Sequence, residues 1–208
     1  GIDFSYLAPI FNGSSEYATS ILGKLVEILK INQISFQIIA DSAVIQKFQL
    51  EVYSDYLIDS AKCEESFYNL LFIPQQIYSV SAMEKINRIC FKFVFTMLDV
   101  IALRCRYLGE PRGLDIASSI AYKYANTVLG LSKASSKDIE SFFNERSIFR
   151  NVKSVLLTKE MDFTDSSDNI EPEIVYKDYI LVMGNAYKHK AIEKTLSELY
   201  DTEFNLVI

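Results

Sequence analysis

Apolar positions along this chain recur with two periods that take turns. Ile2 to Leu7 is a short apolar run, closed by Pro9 and the turn-forming Asn12-Gly13-Ser14-Ser15. Ala18, Ile21, Leu22, Leu25, Val26 and Leu29 then fall at helical spacing. Ser14 or Ser15 is expected to cap that helix, with Glu16 in its first turn, where the helix dipole favours an acid. Phe36 to Ala40 predicts the next strand, and Ala43 to Lys62 reads as short helices. Tyr68 to Ile73 predicts a strand stopped by Pro74, and Ser79 or Ser81 caps a helix to about Ile89. Phe91 to Met97 is almost wholly apolar, as a strand buried on both faces would be, and Asp99 follows its carboxyl end. A helix carrying Ile116, Ile120, Ala121 and Tyr124, a strand Thr127 to Leu131, a helix capped by Ser135 or Ser136, and a strand Val152 to Leu157 complete the series.

Strand and helix alternating at this spacing predict βαβ units and a mostly parallel, doubly wound α/β sheet. From Thr158 to Lys177 the rhythm fails, and Asp162, Asp165, Asp168, Glu171 and Pro172 fall in a polar stretch that reads as a linker. Beyond it come a strand Tyr179 to Met183, Gly184-Asn185, a helix Lys188 to Tyr200 and a strand Phe204 to Ile208. This last unit has about the size of one βαβ and buries too little to be a domain. The expected division is a first domain over 1–160, a linker over 161–178, and the opening of a second domain over 179–208, cut within it.

Composition narrows the function classes. Half of the 208 residues are hydrophobic and 23% are charged, which excludes an intrinsically disordered chain; 7 Gly and 4 Pro exclude a collagen-like one. Lys and Arg number 21 against 27 Asp and Glu, so the net charge of −6 offers no basic face for nucleic acid. Cys63, Cys90 and Cys105 are odd in number and form no CxxC pair, so neither a disulfide framework nor a zinc site is indicated. Buried small hydrophobes in a reducing, cytoplasmic setting are expected. Ile89 to Leu103 is broken by Lys92 and Asp99 and falls short of the roughly 20 apolar residues of a membrane span. Gly1 opens the chain without an initiator Met or a signal pattern, which suggests a trimmed start.

In open α/β sheets ligands bind outside the carboxyl ends of strands. Four segments are expected there. Pro9 to Glu16 offers Gly13 for close backbone approach and, with Asn12 and Ser14, the unpaired N–H groups of a helix start. It is neither GxGxxG nor a P-loop. Thr96 to Val100 carries Asp99, which either caps the next turn or faces a cleft. Leu131 to Ser135 carries Ser132 and Lys133. Gly184 to Lys190 places Gly184, Lys188 and Lys190 at a strand-to-helix turn suited to a phosphate. His189 is the single histidine, and no Ser/His/Asp set or metal-ligand spacing can be assembled around it.

Taken in order, these segments resemble the retaining GT-B glycosyltransferases of the group 1, family 4-like class. The resemblance rests on Gly1 through Tyr17, on Phe93 through Arg104, on Ala125 through Ile139, and on Tyr179 through Lys190, and so spans nearly the whole chain. It implies two Rossmann-like domains facing a cleft: an acceptor-side domain, and a donor-side domain that binds a nucleotide-sugar without a metal or other cofactor. It places Asn12, Gly13 and Ser14 near the donor phosphate or sugar, Asp99 on the cleft, Ser132 and Lys133 beside it, and Gly184, Lys188 and Lys190 on the donor-side loop. The family usually has His before the Asp, where this chain has Leu98, and its paired donor-domain acids would lie beyond Ile208. The piece alone is therefore expected to be inactive.

The expected partners are a nucleotide-sugar and a glycan-type acceptor, with contact to the inner membrane face and self-association through the 179–208 strands as further possibilities. Two rival readings stand beside this one. The first is a catalytically degenerate module acting in binding or assembly. The second is a flavodoxin-like or response-regulator-like domain, which would need an acidic cluster at the end of the first strand, where only Asp3 stands.

Overall fold

The computed structural model describes residues 1–105, 113–155, 179–182, 191–200 and 204–207. The chain divides into two compact units, Gly1–Lys159 and Glu160–Ile208. The stretch read as a linker, 161–178, lies outside the described residues, as does Gly184 to Lys190.

The first unit contains seven strands: β1 (Ile2–Asp3), β2 (Ile38–Ala40), β3 (Leu57–Asp59), β4 (Leu71–Ile73), β5 (Phe93–Met97), β6 (Thr127–Gly130) and β7 (Lys153–Ser154). They form one sheet in the order β3-β2-β1-β4-β5-β6-β7, with every neighbouring pair parallel. Between them run α1 (Gly13–Ile31), α2 (Ser42–Lys47), α3 (Val80–Ile89), α4 (Ile101–Arg104), α5 (Leu114–Tyr124) and α6 (Lys133–Asn144). Single 3₁₀ stretches occupy Leu50–Tyr56 and Cys63–Glu65. This is an α/β, Rossmann-like arrangement, as the alternating periods predict.

A parallel sheet must be covered on both faces, and two apolar clusters do so. Ile2, Phe4, Ile38 and Ala40 meet Ala18, Leu22 and Val26 of α1. On the other face Ile39, Leu71, Ile73, Phe93, Phe95 and Val128 meet Met83 and Ile86 of α3, Ala121 and Tyr122 of α5, and Phe143 of α6. In β5 every residue but Val94 is buried, as its unbroken apolar run predicts.

Four local expectations are corrected. The first strand ends at Asp3 rather than Leu7, because the Asp3 carboxyl takes both the amide and the hydroxyl of Ser5 and turns the chain. Ala43 to Lys62 holds helical turns but also β3, a half-exposed edge strand too short to display a period. In α5, Ile116 and Tyr124 face solvent at 60% and 62% exposure, and Tyr122 takes the inward position instead. Tyr122 stacks on Phe143 at 4.0 Å, its hydroxyl donates to the Arg150 carbonyl at 3.0 Å, and Arg150 Nη1 returns a bond to the Tyr122 carbonyl at 2.9 Å. An aromatic ring with an exit for its hydroxyl thus outcompetes an aliphatic side chain for the interior. The last strand of the series starts at Lys153; Leu156 and Leu157 lie outside the described residues.

The second unit has β8 (Tyr179–Leu181) and β9 (Asn205–Val207) paired in parallel, with α7 (Ile192–Leu199) between them in the chain. That is the βαβ order expected, although α7 starts at Ile192, after Lys188.

Gly130 shows how closely β6 and α6 pack. A Cβ there would overlap Ser136 Oγ and come within 3.2 Å of Val152 Cγ1, while Ser136 Oγ is held by the Ser154 hydroxyl at 2.9 Å. Gly130→Ala is therefore expected to lower stability by roughly 1–3 kcal/mol, read as a lower urea midpoint at unchanged slope.

Candidate functional site

From β1 the chain builds outward to β2 and β3, then returns to the other side of β1 and builds outward through β4, β5, β6 and β7. The order reverses between β1 and β4, and such a reversal opens a crevice at the carboxyl edge. Three of the four predicted segments end at this edge: the loop after β1, the turn after β5 and the turn after β6. The fourth, with Gly184, Lys188 and Lys190, lies outside the described residues.

At the β1 end, Asn12 caps α1 in place of Ser14 or Ser15. Its Oδ1 accepts from the Ser14 amide at 2.9 Å and the Ser15 amide at 3.0 Å, and Ser15 Oγ accepts from the Asn12 amide at 3.0 Å. The Glu16 amide goes to the Asn12 carbonyl. The helix start expected to offer its N–H groups to an anion has thus spent most of them on its own cap. Gly13 has no positive φ, and a Cβ there would touch nothing within 4 Å, so the backbone does not require glycine at this place.

At the β6 end, Ser132 is the cap of α6, not Ser135 or Ser136. Ser132 Oγ accepts from the Ser135 amide at 3.0 Å, and its carbonyl takes the Ser136 amide. The amides of Lys133 and Ala134 stay uncommitted, and Lys133 adds an exposed ammonium beside them. An exposed ion pair, Arg104 to Asp138 at 3.0 Å, links α4 to α6.

Asp99, after β5, is half-buried and acts as a cap: its Oδ1 accepts from the Ile101 amide at 2.8 Å. Gln76 Nε2 donates to the Asp99 carbonyl, and the Tyr78 hydroxyl donates to Gln76 Oε1 at 3.0 Å. Burial pushes the Tyr78 hydroxyl pKa up, and the Asp99 charge pushes it further. The Tyr17 and Thr96 hydroxyls share a buried hydrogen bond of 2.9 Å that ties α1 to β5. Sequence reasoning passed over Gln75, Gln76, Tyr78, Tyr17 and Thr96. The signal for the first two was a pair of amides straight after a strand-ending proline.

Asp3 is the most unusual group at this edge. It is fully buried, with Oδ1 accepting from the Ser5 amide at 2.9 Å and the Ser5 hydroxyl at 2.6 Å, while Oδ2 has no partner. Burial raises its pKa above the ordinary 3.8; the Ser5 bonds and Lys85 oppose the shift, and Asp41 adds to it. Gln75, 2% exposed, likewise has a buried Nε2 without a partner.

Volume and polar chemistry do not coincide. A cleft of about 1130 Å³ opens at the opposite, amino edge, walled chiefly by apolar side chains such as Leu25, Leu29, Phe36, Tyr56 and Phe67. A smaller pocket of about 230 Å³ lies among Phe11, Thr19, Lys47, Phe48 and Gln49, beside the start of α1. Among the described residues no group of three or more His, Cys, Asp or Glu side chains is placed to hold a metal ion. No helix among them is long and apolar enough to cross a membrane. Cys63 and Cys90 are buried and Cys105 is half-buried, all three as free thiols. Comparison with protein-family models, with curated proteins and with solved structures finds no match.

Two substitutions test these assignments. Asn12→Ala should cost about 0.5–2 kcal/mol of stability through loss of the cap, measured by urea unfolding. Asp3→Asn should act with the opposite sign. The folded-state pKa of Asp3 is raised, so its contribution is fully present below the unfolded value and is lost as pH rises toward the folded one. Asp3→Asn should therefore unfold at higher urea than the parent at pH 7, with the gain shrinking toward pH 4.

Proposed function

We propose that this chain provides the acceptor-side domain, and the opening of the donor-side domain, of a GT-B glycosyltransferase that transfers a sugar from a nucleotide-sugar with retention. The observation that carries the reading is positional. Asn12, Asp99 and Lys133 come from motifs separated by dozens of residues, yet all three stand at the carboxyl edge of one parallel sheet, around its order reversal. That edge is where a sheet of this kind binds its ligands. The order of the motifs along the chain supports the same reading.

In this reading the donor is held chiefly by the second unit, through Gly184, Lys188 and Lys190. The first unit positions the acceptor. Lys133 and the free amides at the start of α6 supply donors for an anion or a sugar hydroxyl, with the positive end of the helix dipole behind them. Asp99 keeps Oδ2 for a sugar hydroxyl while Oδ1 holds the turn. Transfer proceeds through an oxocarbenium-like transition state whose departing phosphate is stabilised by basic side chains and helix starts, and no step calls for a metal. A cytoplasmic site of action, with peripheral contact at the inner membrane face, belongs to the same proposal.

Two observations favour a second reading, a catalytically degenerate module for binding or assembly. Asp99 Oδ1 is engaged as a structural cap, and Leu98 stands where an imidazole would be expected.

Nucleotide-sugar turnover and glycan binding, measured on the chain joined to a complete donor domain, distinguish the two. If the enzyme reading holds, Asp99→Ala and Lys133→Ala each lower turnover about tenfold or more, equivalent to roughly 1.4 kcal/mol of transition-state stabilisation. Glycan binding without turnover, unchanged in Asp99→Ala, supports the degenerate module. Absence of binding to any nucleotide-sugar or glycan rejects both.

A further inference from the structure

Asp3 alternates with Ile2 and Phe4, so it faces away from α1, into the side of the sheet that α3 covers. There it enters a cluster of polar side chains drawn from four elements. Its own loop supplies Ser5 and Tyr6, the end of β2 supplies Asp41, the turn after β3 supplies Ser60 and Cys63, and α3 supplies Lys85. Two atoms in this cluster, Asp3 Oδ2 and Tyr6 Oη, are buried and make no hydrogen bond. Buried polar atoms are almost always paired, so two orphans from neighbouring residues call for a physical account.

Lys85 is a cation whose charge acts on Asp3 and lowers its pKa. It is not bonded to Asp3. Its Nζ donates to the Ser60 carbonyl at a long 3.3 Å and stands 5.9 Å from the Tyr6 ring centroid, and its charge draws the Cys63 thiol pKa down against burial. The Ser60 hydroxyl in turn donates to Asp41 Oδ1. Lys85 thereby fastens the turn after edge strand β3 to α3. The Asp3 charge also acts on the Gly1 amino group, which donates to the Leu70 carbonyl at 2.8 Å and which burial lowers to a pKa of about 6. Glu64 is paired with Arg88 at 2.8 Å, and Cys90 and Tyr68 are uncharged groups held up by burial.

We propose that Asp3 and Lys85 form a proton-gated latch: with Asp3 neutral, Lys85 clips the Ser60–Cys63 turn to α3, and when Asp3 releases its proton to solvent the Lys85 ammonium turns to Asp3 Oδ2 and frees the turn. The driving force is the cost of an unpaired carboxylate in an apolar face, which far exceeds the worth of one long bond to a carbonyl. The proton leaves as a solvent proton, Lys85 keeps its own, and the cluster exchanges a long ammonium–carbonyl bond for an ion pair with the carboxylate. Tyr6, held protonated by burial, has its hydroxyl available as a second donor to the carboxylate. Burial and Asp41 place the transition above the ordinary carboxyl range, and Lys85 and the Ser5 bonds draw it back down.

The test is a pH titration of the 208-residue chain by NMR, following the Asp3 carboxyl carbon, the Lys85 side-chain nitrogen and exchange of the Lys62, Glu65 and Ser66 amides. Those amides close the turn through bonds to Asp59, Lys62 and Cys63 carbonyls. All three signals should share one midpoint, with exchange, corrected for its intrinsic pH dependence, rising about tenfold or more through it. Asp3→Asn should keep the amides protected at every pH. Lys85→Met should move the Asp3 midpoint up and leave the turn exchanging fast throughout, and Lys85→Arg should restore the pH dependence. Should Lys85→Met fail to fold, Asp3→Asn and Lys85→Arg decide the matter. A Lys85 nitrogen that ignores the Asp3 titration, or a turn whose protection is the same in Asp3→Asn and the parent above the midpoint, overturns the latch.

Discussion

β1 stands third in the seven-stranded sheet, beside the reversal of strand order, with only two residues, and the pairing it makes on both sides is what the other strands depend on. Ile2 stands opposite Ile38 of β2 and Phe72 of β4. The bonds run to both neighbours: the Ile2 amide to Gln37, the Phe4 amide to Ile39, and the Phe72 amide back to Gly1, all between 2.7 and 2.9 Å. Side chains alternate across this short ladder, so Ile2 and Phe4 enter the core under α1 while Asp3 enters the core under α3. A parallel sheet has no wet face to receive that carboxyl. Its capture of Ser5 ends the strand and begins the loop to α1, so a single buried side chain sets both the length of the pivot strand and the path of the loop at the crevice.

The helix starts at the carboxyl edge are not equivalent. Each offers about four backbone donors, and what remains after capping decides where an anion can bind. The cap takes three at α1, the Asn12, Ser14 and Ser15 amides. The Ser132 hydroxyl takes one at α6, the Ser135 amide, leaving the Lys133 and Ala134 amides, nearest the β6 end, uncommitted. The chemistry of the edge is therefore weighted toward β6 and away from the glycine that drew attention in the sequence. Tyr17 and Thr96 contribute by fixing α1 against β5 with a bond that water cannot reach.

Much of the fold was legible because its long elements repeat their periods several times. The α1 stripe, the unbroken run of β5 and the Ser79 cap of α3 each agree with the structure. The failures are short or phase-dependent. β3 has three residues, fewer than an alternation needs to show itself. In α5 the stripe is shifted: Ile116 and Tyr124 lie on the solvent side, and Tyr122, which the stripe left out, lies inside. Caps were misplaced by two to four residues at α1 and α6, where several serines competed and only geometry selects among them. Asp99 was legible in place, and its bond to the Ile101 amide is the capping alternative the sequence left open. Asp3 could be seen as an acid on a strand, but not as a group facing Lys85 from 82 residues away, since that proximity is a product of the sheet order.

Volume alone would direct attention to the amino edge, where the larger cleft lies between β1, β2 and β4. Its walls are mostly Phe, Tyr, Leu and Ile, which reward burial of apolar surface but do little to fix the orientation of a ligand. Oriented donors and acceptors are what a sugar or phosphate requires, because each hydroxyl taken from water must find a replacement partner. Those groups, the α6 amides, Lys133, Asp99 and the Gln76–Tyr78 pair, stand at the carboxyl edge. For a polar ligand the shallower edge is the better site, since directional bonds decide specificity and apolar area does not.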